Sequence, residues 1–216
     1  YNARAVTDGL VIAYDFANIK TYPGAGSTCT DLSGVGNNGS LSNTPTYSSG
    51  YFGGMGVVAA SSQSIIVPDS TYSRFTYNAP WSIRFAINIT AFANTYPGIL
   101  VKGASSGAGV LLYYDNAGNL YWKHNNSQFT AMTFTFSTPF VLTITYNGTN
   151  MYFYKNNVLT YTGGAMTSTE TSSSLVLGKG DEFGTSTIFS FMKYNGFLAD
   201  WQVQQNFTAI RKRFNV

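Results

Sequence analysis

Residues 81–89 read Trp81-Ser82-Ile83-Arg84-Phe85-Ala86-Ile87-Asn88-Ile89, and this stretch decides the fold. Large apolar residues occupy every second position, and the positions between them are mostly polar. Successive side chains of a β-strand point to opposite faces of the sheet, so this alternation is typical of a strand with one buried face. The segment therefore predicts a β-sheet protein whose core is lined by the odd-numbered residues of this strand.

Similar strand signals recur on both sides of this segment, separated by short runs of Gly, Asn and Ser. Asn147-Gly148 and Asn156-Asn157 mark tight turns between neighbouring strands. Strands repeated at this spacing favour a sandwich or a barrel. The predicted strands are Leu10–Phe16, Ser64–Val67, Ile99–Val101, Val110–Tyr114, Asn119–Lys123, Phe140–Tyr146, Met151–Tyr154, Val158–Tyr161, Leu175–Leu177 and Thr187–Tyr194.

Two segments depart from this pattern. The polar stretch Thr21–Ser49 predicts a long loop, and loops of this length are commonly functional or folded on themselves. Near the end of the chain, Val203, Phe207 and Ile210 recur at helical spacing and predict one amphipathic helix at about Asp200–Lys212. No linker or internal repeat interrupts the 216 residues. We therefore predict one all-β domain, an antiparallel sandwich with one short C-terminal helix.

The composition narrows the choice of partners. Only 10% of the residues are charged, and the net charge is +3. Arg211-Lys212-Arg213 is the one basic cluster, and at a helix end it complements the helix dipole more readily than it binds phosphate, so nucleic acid is not a predicted partner. No apolar run is long enough to span a bilayer, which predicts no membrane insertion. Cys29 is the only cysteine, so no disulfide can form within the chain.

Two short motifs match enzyme signatures without the surroundings that those signatures need. Gly34-Val35-Gly36-Asn37-Asn38-Gly39 fits G-x-G-x-x-G, yet polar residues precede it and no helix is expected after it. Gly103-Ala104-Ser105-Ser106-Gly107 fits G-x-S-x-G, yet it joins two predicted strands, and His124 is the only histidine. The chain holds nine acidic residues, and no predicted strand places two on one face, as glycoside hydrolysis in a sandwich would require. We therefore predict no enzymatic activity.

One predicted hairpin carries residues suited to sugar binding. A sugar needs a flat aromatic ring against its apolar face and short polar side chains for its hydroxyls. Because neighbours on a strand face opposite sides, at least one residue of each adjacent aromatic pair should face away from the core. The alternative is that alternate members simply pack the core. The candidate glycan-binding residues are Tyr113, Tyr114, Tyr121, Trp122, His124, Asn125 and Asn126.

Loop oxygens provide the only candidate metal site. One histidine and one cysteine cannot form a zinc site alone, whereas calcium takes carboxylate, amide and backbone oxygens. The alternative is that Asp31 ties its own loop through hydrogen bonds to nearby N–H groups. No cofactor is required, and calcium is the one candidate. Its candidate ligands are Asp31, Asp181 and Glu182, with Asn37 and Asn38 as further loop oxygens.

Several segments follow one another in a characteristic order. They are Gly9–Phe16, Asp31–Leu41 with the pattern D-x-S-G-x-G-N-x-G-x-L, Ile65–Ser70, Pro80–Ile83, Ile99–Gly103, Leu175–Gly178 and Tyr194–Phe207. Together they resemble laminin-G-like domains of the concanavalin A-like lectin/glucanase superfamily, over nearly the whole chain. The resemblance implies a concanavalin A-like jelly roll spanning residues 1–216.

Three departures from that family limit what the resemblance carries over. Ala59-Ala60-Ser61-Ser62 stands where family members often have Asp-Gly near calcium, so the resemblance supplies no calcium site here. The acid-rich catalytic strand of the glucanase branch is missing. Ala199 replaces the usual Ser or Thr helix cap, which forgoes roughly 1 kcal/mol of capping unless Asp200 substitutes for it.

The amino-acid sequence of two segments is similar to that of domains in structural proteins of tailed bacteriophages. These segments are Tyr22-Pro23-Gly24 and Gln204-Gln205-Asn206-Phe207. The resemblance implies a non-catalytic domain on the virion surface, as a capsid decoration, head fibre or tail fibre, that binds host-surface or environmental glycans. The alternative is a purely structural decoration or adaptor that binds neighbouring virion proteins and no sugar. Homo-oligomers are compatible with either.

Overall fold

A computed structural model describes residues 4–49, 53–57, 61–92, 95–103, 109–125, 127–167 and 172–214. These residues form two β-sheets packed face to face, with one helix, α1, at Asp200–Ile210 and a 3₁₀ turn at Arg211–Arg213. In this part of the chain, no helix is long and apolar enough to cross a bilayer. The strands are β1 Leu10–Asp15, β2 Thr28–Cys29, β3 Gly39–Ser42, β4 Thr46–Ser48, β5 Gly54–Val57, β6 Ser64–Val67, β7 Trp81–Ala91, β8 Pro97–Lys102, β9 Val110–Tyr114, β10 Asn119–His124, β11 Ser127–Thr133, β12 Phe140–Tyr146, β13 Met151–Lys155, β14 Val158–Gly163, β15 Leu175–Leu177, β16 Glu182–Phe183 and β17 Thr185–Tyr194.

The two sheets, which we call sheet A and sheet B, each combine strands from distant parts of the chain. Sheet A runs β14-β13-β12-β7-β17-β5-β4, and β1 also pairs with β17. Sheet B runs β11-β10-β9-β8-β15-β6-β3-β2, and the short strand β16 pairs with β8. The β16–β8 pair is parallel, and the other pairs between described strands are antiparallel. The predicted all-β sandwich with one short C-terminal helix is confirmed.

Strand β7 is buried on both faces. Its odd-numbered residues, from Trp81 to Ile89, lie in the core between the sheets, as the alternation predicts. The same alternation predicts a solvent-facing second side, but Ser82, Arg84 and Ala86 are buried as well. They are buried because α1 lies over the outer face of sheet A, where Ile210 packs against Ala86.

Polar contacts hold the helix against that face. Arg84 is 2% exposed, and its guanidinium donates to the carbonyl oxygen of Asn206 at 3.3 Å and to Oγ of Ser190 at 3.0 Å. The buried Asn206 side chain in turn accepts a hydrogen bond from the backbone N–H of Val6 at 2.8 Å. These bonds explain why polar residues of β7 and α1 are found inside the protein, since a buried polar group needs a partner.

The N-terminus of α1 lacks a side-chain cap, and the basic cluster that follows its C-terminus is partly buried. Ala199 is the N-cap residue and makes no side-chain cap, as expected. Asp200 does not substitute for it, because its Oδ1 accepts a hydrogen bond from the hydroxyl of Tyr154 at 2.6 Å. Oε1 of Gln202 instead accepts from the N–H of Ala199 at 3.0 Å. Beyond the helix, Arg213 of the basic cluster is buried and pairs with Asp15 at 2.7 Å, so it fastens the chain end to β1.

Several strands occur where the sequence predicts a loop or predicts no strand. The polar stretch Thr21–Ser49 contains the short strands β2, β3 and β4, and β3 pairs with β6. Strand β11 extends sheet B beyond β10 and is half polar, with alternating exposed residues. Such strands lie at sheet margins, where one face meets water and the hydrophobic pattern is weak.

Lys193 lies fully inside the sandwich without a polar partner among the described residues. Lys193 of β17 is 0% exposed, and its Nζ lies 5.3 Å from the centroid of the Phe75 ring. Within the described residues, this Nζ has no hydrogen-bond partner. Burial, with a smaller contribution from the nearby charge of Lys102, lowers the pKa of Lys193 to about 7. The aromatic ring stabilises a cation only in part, so the ammonium form is disfavoured in the folded protein.

We predict that Lys193→Met stabilises the protein, and that the gain shrinks as the pH rises. Above pH 7 the unfolded chain still binds the proton at Lys193, whereas the folded chain releases it. Wild-type stability therefore rises with pH through this window, by at most about 1.4 kcal/mol per pH unit from this group. Urea denaturation of wild type and variant between pH 7 and 9.5 measures the difference.

Lys20→Met is the matched control, because Lys20 is exposed and should change little at any pH. A stability difference between wild type and Lys193→Met that stays constant across the window would show that Lys193 remains charged in the fold.

Candidate functional site

Strands β9 and β10 divide the predicted glycan-binding residues between two faces of sheet B. Tyr113 and Tyr121 are paired across the two strands and lie in a cluster on the outer face. Their neighbours Tyr114 and Trp122 face the core and are 0% exposed. The expectation that one residue of each aromatic pair faces away from the core therefore agrees with the structure.

The prediction is corrected for Tyr114, Trp122 and His124, which are buried and cannot touch a ligand at the surface. The hydroxyl of Tyr114 donates to the carbonyl of Ala91 at 3.0 Å. Trp122 packs against Trp81 with ring centroids 5.5 Å apart. All three residues have even numbers, and the even-numbered residues of these strands face the core. The sequence alone does not say which of the two faces of a strand is buried.

The remaining site residues and motifs have mixed outcomes. His124 lies 5.6 Å from Phe129 by ring centroids, and burial lowers its pKa, which favours the neutral imidazole. Asn125 is half-buried at the turn, and its Nδ2 donates to Oγ1 of Thr167 at 3.4 Å. Asn126, residues 104–107 of the G-x-S-x-G motif, and Ala59-Ala60 lie outside the described residues. The G-x-G-x-x-G motif leads into strand β3 rather than a helix.

An open groove lies on the outer face of sheet B, and we call it the outer-face groove. Its volume is about 280 Å³. Leu111 and Tyr113 form its buried floor, whereas Tyr96 is 52% exposed beside it. The lining residues are Tyr96, Leu111, Tyr113, Lys123, Gln128 and Asp181.

The tyrosine rings of the groove hold one another in place. Tyr113 stacks on Tyr121 with centroids 5.0 Å apart, and Tyr96 meets Tyr113 edge-on at 5.8 Å. The hydroxyl of Tyr113 donates to Oε1 of Gln128 at 2.7 Å, and that of Tyr121 donates to Oδ2 of Asp115 at 2.9 Å. The rings are therefore fixed before any ligand arrives, which reduces the entropy cost of binding.

The loop between β15 and β16 builds one wall of the groove. Glycine is required where this loop crosses β8, because a Cβ on Gly98 would come within 1.9 Å of the backbone nitrogen of Gly180. Glu182 fixes the loop, since its Oε2 accepts from the N–H of Tyr96 at 2.7 Å. This close crossing brings the exposed Asp181 to the groove.

The charges of the groove lie at its rim. Burial raises the pKa of Tyr113 to about 12, and the nearby Tyr121 adds to the effect, so Tyr113 stays neutral. Lys123 is half-buried and Asp181 is exposed. Within the described part of the chain, neither side chain has a hydrogen-bond or ion-pair partner. Both are therefore free to bond a polar ligand, one as a donor and one as an acceptor.

Asp31, the main candidate calcium ligand, is occupied by its own chain. Its Oδ1 accepts from the N–H groups of Ala13 at 2.8 Å and Ser33 at 2.9 Å. Its Oδ2 accepts from Oγ of Ser33 at 2.7 Å and the N–H of Asn37 at 2.9 Å. Asn38 is also engaged, because its Oδ1 accepts from the N–H of Asp31. These bonds agree with the alternative in which Asp31 ties its own loop.

The remaining calcium candidates do not complete a site. Asp181 lines the outer-face groove, whereas the carboxylate of its neighbour Glu182 already accepts a hydrogen bond from the backbone of Tyr96. Over the described residues, no three His, Cys, Asp or Glu side chains come together in a geometry that could hold a metal ion. The calcium prediction therefore gains no support from the geometry.

Sequence reasoning missed four residues of the groove, namely Tyr96, Leu111, Lys123 and Gln128. Lys123 could have been found, because it lies two positions after Tyr121 and so shares its face. Gln128 could not, because the sequence analysis predicts no strand over β11. Tyr96 enters only through the close approach of the Gly180 loop, a contact between distant parts of the chain.

The fold defines the class of protein first: an all-β sandwich of two packed sheets, shared with several solved structures. By sequence, neither a known protein family nor a curated protein matches this chain. The likeness to solved structures therefore shows the fold, at identities too low to show a family.

Three solved structures illustrate that likeness. The binding domain of Paraclostridial Mosquitocidal Protein 1 has a TM-score of 0.72 and 17% identity, over 93% of this chain and 52% of that one. The binding domain of Botulinum Neurotoxin DC, in complex with SialylT, has a TM-score of 0.73 and 18% identity, over 95% of this chain and 52% of that one. Domain 4 of AbnA, a GH43 extracellular arabinanase from Geobacillus stearothermophilus, in complex with arabinotriose, has a TM-score of 0.70 and 15% identity. The match covers 93% of this chain and 98% of that one. The chain thus spans about half the length of the two toxin domains.

We predict that Asp31→Ala lowers the free energy of unfolding by about 3 kcal/mol or more, because it removes the acceptor for several hydrogen bonds to a charged group. The loss should be the same in calcium and in EDTA, and wild-type stability should not depend on calcium. Urea denaturation in both buffers measures this, with the exposed Asp8→Ala as control. Wild-type destabilisation by EDTA, absent in Asp31→Ala, would instead establish a metal at this loop.

Proposed function

We propose that this domain is a non-catalytic glycan-binding module whose ligand lies in the outer-face groove. The observation that carries the proposal is the groove itself. It combines a fixed set of tyrosine rings with Lys123 and Asp181, two rim side chains of opposite charge that have no partner within the described residues.

The groove matches the two requirements of sugar recognition. The exposed ring of Tyr96 offers a flat apolar surface for the C–H face of a sugar. Lys123 donates to hydroxyls, Asp181 accepts from them, and the exposed amide of Gln128 can do either. At about 280 Å³, the groove is slightly smaller than most small-molecule pockets, at about 300 to 1,000 Å³, so it suits one sugar unit of a longer chain.

The distribution of carboxylates supports binding without cleavage. Asp181 is the one carboxylate that lines the groove among the described residues. Its neighbour Glu182 is engaged with the backbone of Tyr96. Glycoside hydrolysis ordinarily uses two carboxyl groups on either side of the scissile bond, and the groove does not offer a second.

The structural neighbours give independent support for a sugar ligand. AbnA domain 4 is described in complex with arabinotriose, and the botulinum DC domain in complex with SialylT. AbnA domain 4 is the more informative of the two, because 98% of its length corresponds to this chain.

We further propose that the domain acts on a virion surface, as a capsid decoration, head fibre or tail fibre. The sequence resemblance to tailed-bacteriophage structural proteins supports this location. The alternative remains an adaptor that binds neighbouring virion proteins and no sugar. A glycan array probed with the folded domain separates the two, because the adaptor should bind no glycan.

We predict that Tyr96→Ala weakens binding to the best array ligand about tenfold, equivalent to about 1.4 kcal/mol, because it removes the exposed ring that stacks on the sugar. Asp181→Asn should weaken binding by a similar factor, since the amide keeps the shape but loses the charged acceptor. Isothermal titration calorimetry gives the affinities.

Tyr72→Ala is the matched control, because Tyr72 is an exposed tyrosine that does not line the groove. Full affinity in both groove variants would place the ligand elsewhere. No binding by the folded wild type would favour the adaptor.

A further inference from the structure

Trp201 is exposed in a way that neither the core nor the outer-face groove explains. The chain has three tryptophans. Trp81 and Trp122 are at most 1% exposed, whereas Trp201, in the first turn of α1, is 64% exposed. The indole therefore offers a flat apolar surface that the fold leaves uncovered.

The indole forms a ridge between two clefts. One cleft has a volume of about 430 Å³, and the other of about 540 Å³. Trp201 lines both of them. The first is completed by Tyr154, Asn157, Leu159, Asp200 and Gln204, and the second by Arg4, Ala5, Val6, Thr7, Asp8, Gln202 and Gln205.

The base of this ridge is held firmly. The hydroxyl of Tyr154 donates a hydrogen bond to Oδ1 of Asp200, the residue before Trp201, at 2.6 Å. Nε2 of Gln205 donates to the carbonyl of Arg4 at 2.9 Å and so fixes the second cleft. The helix itself is attached to sheet A through Arg84. The site is therefore preorganised, which favours affinity.

The first cleft presents polar groups that are ready to bond hydroxyls. Among the described residues, the amides of Asn157 and Gln204 make no side-chain hydrogen bond, and only Oδ1 of Asp200 is engaged. Planar amides and a carboxylate can each bond two adjacent hydroxyls. Asp200 is the one charged group among the described residues that line this cleft, so an anionic ligand would be repelled there.

A protein partner fits this surface less well than a saccharide. The centre of a protein interface is usually apolar and depleted of charge. Among the described residues that line the first cleft, Leu159 is the one exposed apolar side chain besides Trp201, and the other exposed or half-buried side chains are polar. An aromatic ring among amides, carboxylates and the guanidinium of Arg4 instead matches the mixed apolar and hydroxylated surface of a sugar.

We propose that Trp201 and its two clefts form a second saccharide-binding site, which takes a neutral oligosaccharide laid across the indole. The proposal rests on the proposed function in its ligand class, but it concerns a different surface. The outer-face groove lies on sheet B, whereas α1 covers the outer face of sheet A. One molecule thus binds glycan chains on opposite faces of the sandwich.

Tryptophan fluorescence tests this directly, because Trp201 is the one solvent-accessible tryptophan of the three. Acrylamide quenching is measured with and without cellohexaose, maltohexaose, xylohexaose or chitohexaose. At least one of these neutral chains should lower the quenching of the wild type toward that of Trp201→Phe, which lacks the exposed indole. The protection should persist in Tyr96→Ala, and Trp201→Ala should bind the same sugar about tenfold more weakly by calorimetry.

The outcomes separate this site from the groove. Protection that disappears in Tyr96→Ala, or no protection by any of the four sugars while groove binding persists, would overturn the second site and leave the proposed function standing. Absence of both kinds of binding would overturn both. Quenching that falls with rising protein concentration in the absence of sugar would show that a second copy of the chain covers Trp201, which also overturns the proposal.

Discussion

The contact between Trp81 and Trp122 is the interaction on which the rest of this structure depends. It joins β7 of sheet A to β10 of sheet B, with ring centroids 5.5 Å apart, and Phe75 meets both rings edge-on. Because Trp122 must face inward to make this contact, Tyr121 and Lys123 must face outward. The antiparallel register then places Tyr113 beside Tyr121. The packing of the core therefore determines which side chains form the outer-face groove.

The two sheets use their outer faces differently. The outer face of sheet A is covered by α1 and by the segments around Val6 and Phe214, and the buried Arg84 and Asn206 hold α1 there. The outer face of sheet B stays open, and the loop between β15 and β16, which contains Gly180, forms one wall of a groove there. The helix that closes one face also carries Trp201 outward. Both candidate saccharide sites thus follow from how the sandwich covers its two sheets.

Much of the fold could be predicted because the strongest signals are local. The alternation in Trp81–Ile89, the run Phe140–Tyr146 and the helical spacing of Val203 and Ile210 each describe a single element, and each element was found. The polar strands β2 to β4 and β11 could not be predicted, because half of each meets water and no hydrophobic period shows. Arg84 and Lys193 would be placed at a surface by sequence alone, and only the complete fold shows that they are buried.

The candidate site was predictable to a smaller extent, for a physical reason. Alternation says that Tyr113 and Tyr114 face opposite sides, but not which one faces outward. That choice depends on the contact with the opposite sheet. The parts of the groove contributed by Tyr96 and Asp181 depend on the close approach of Gly98 and Gly180, which are distant in sequence. The outward position of Trp201 likewise follows from how α1 docks on sheet A.

The central claim is that the outer face of sheet B is the ligand-binding surface that the core packing creates. Backbone amide chemical shifts of the isotope-labelled domain, followed by NMR during titration with the best array glycan, test it most directly. The account predicts saturable shifts clustered on β9, β10 and the Asp181 loop, with the amides of Tyr113 and Lys123 among those affected. Saturable shifts that leave this face untouched, in a folded sample that binds the glycan, would contradict it.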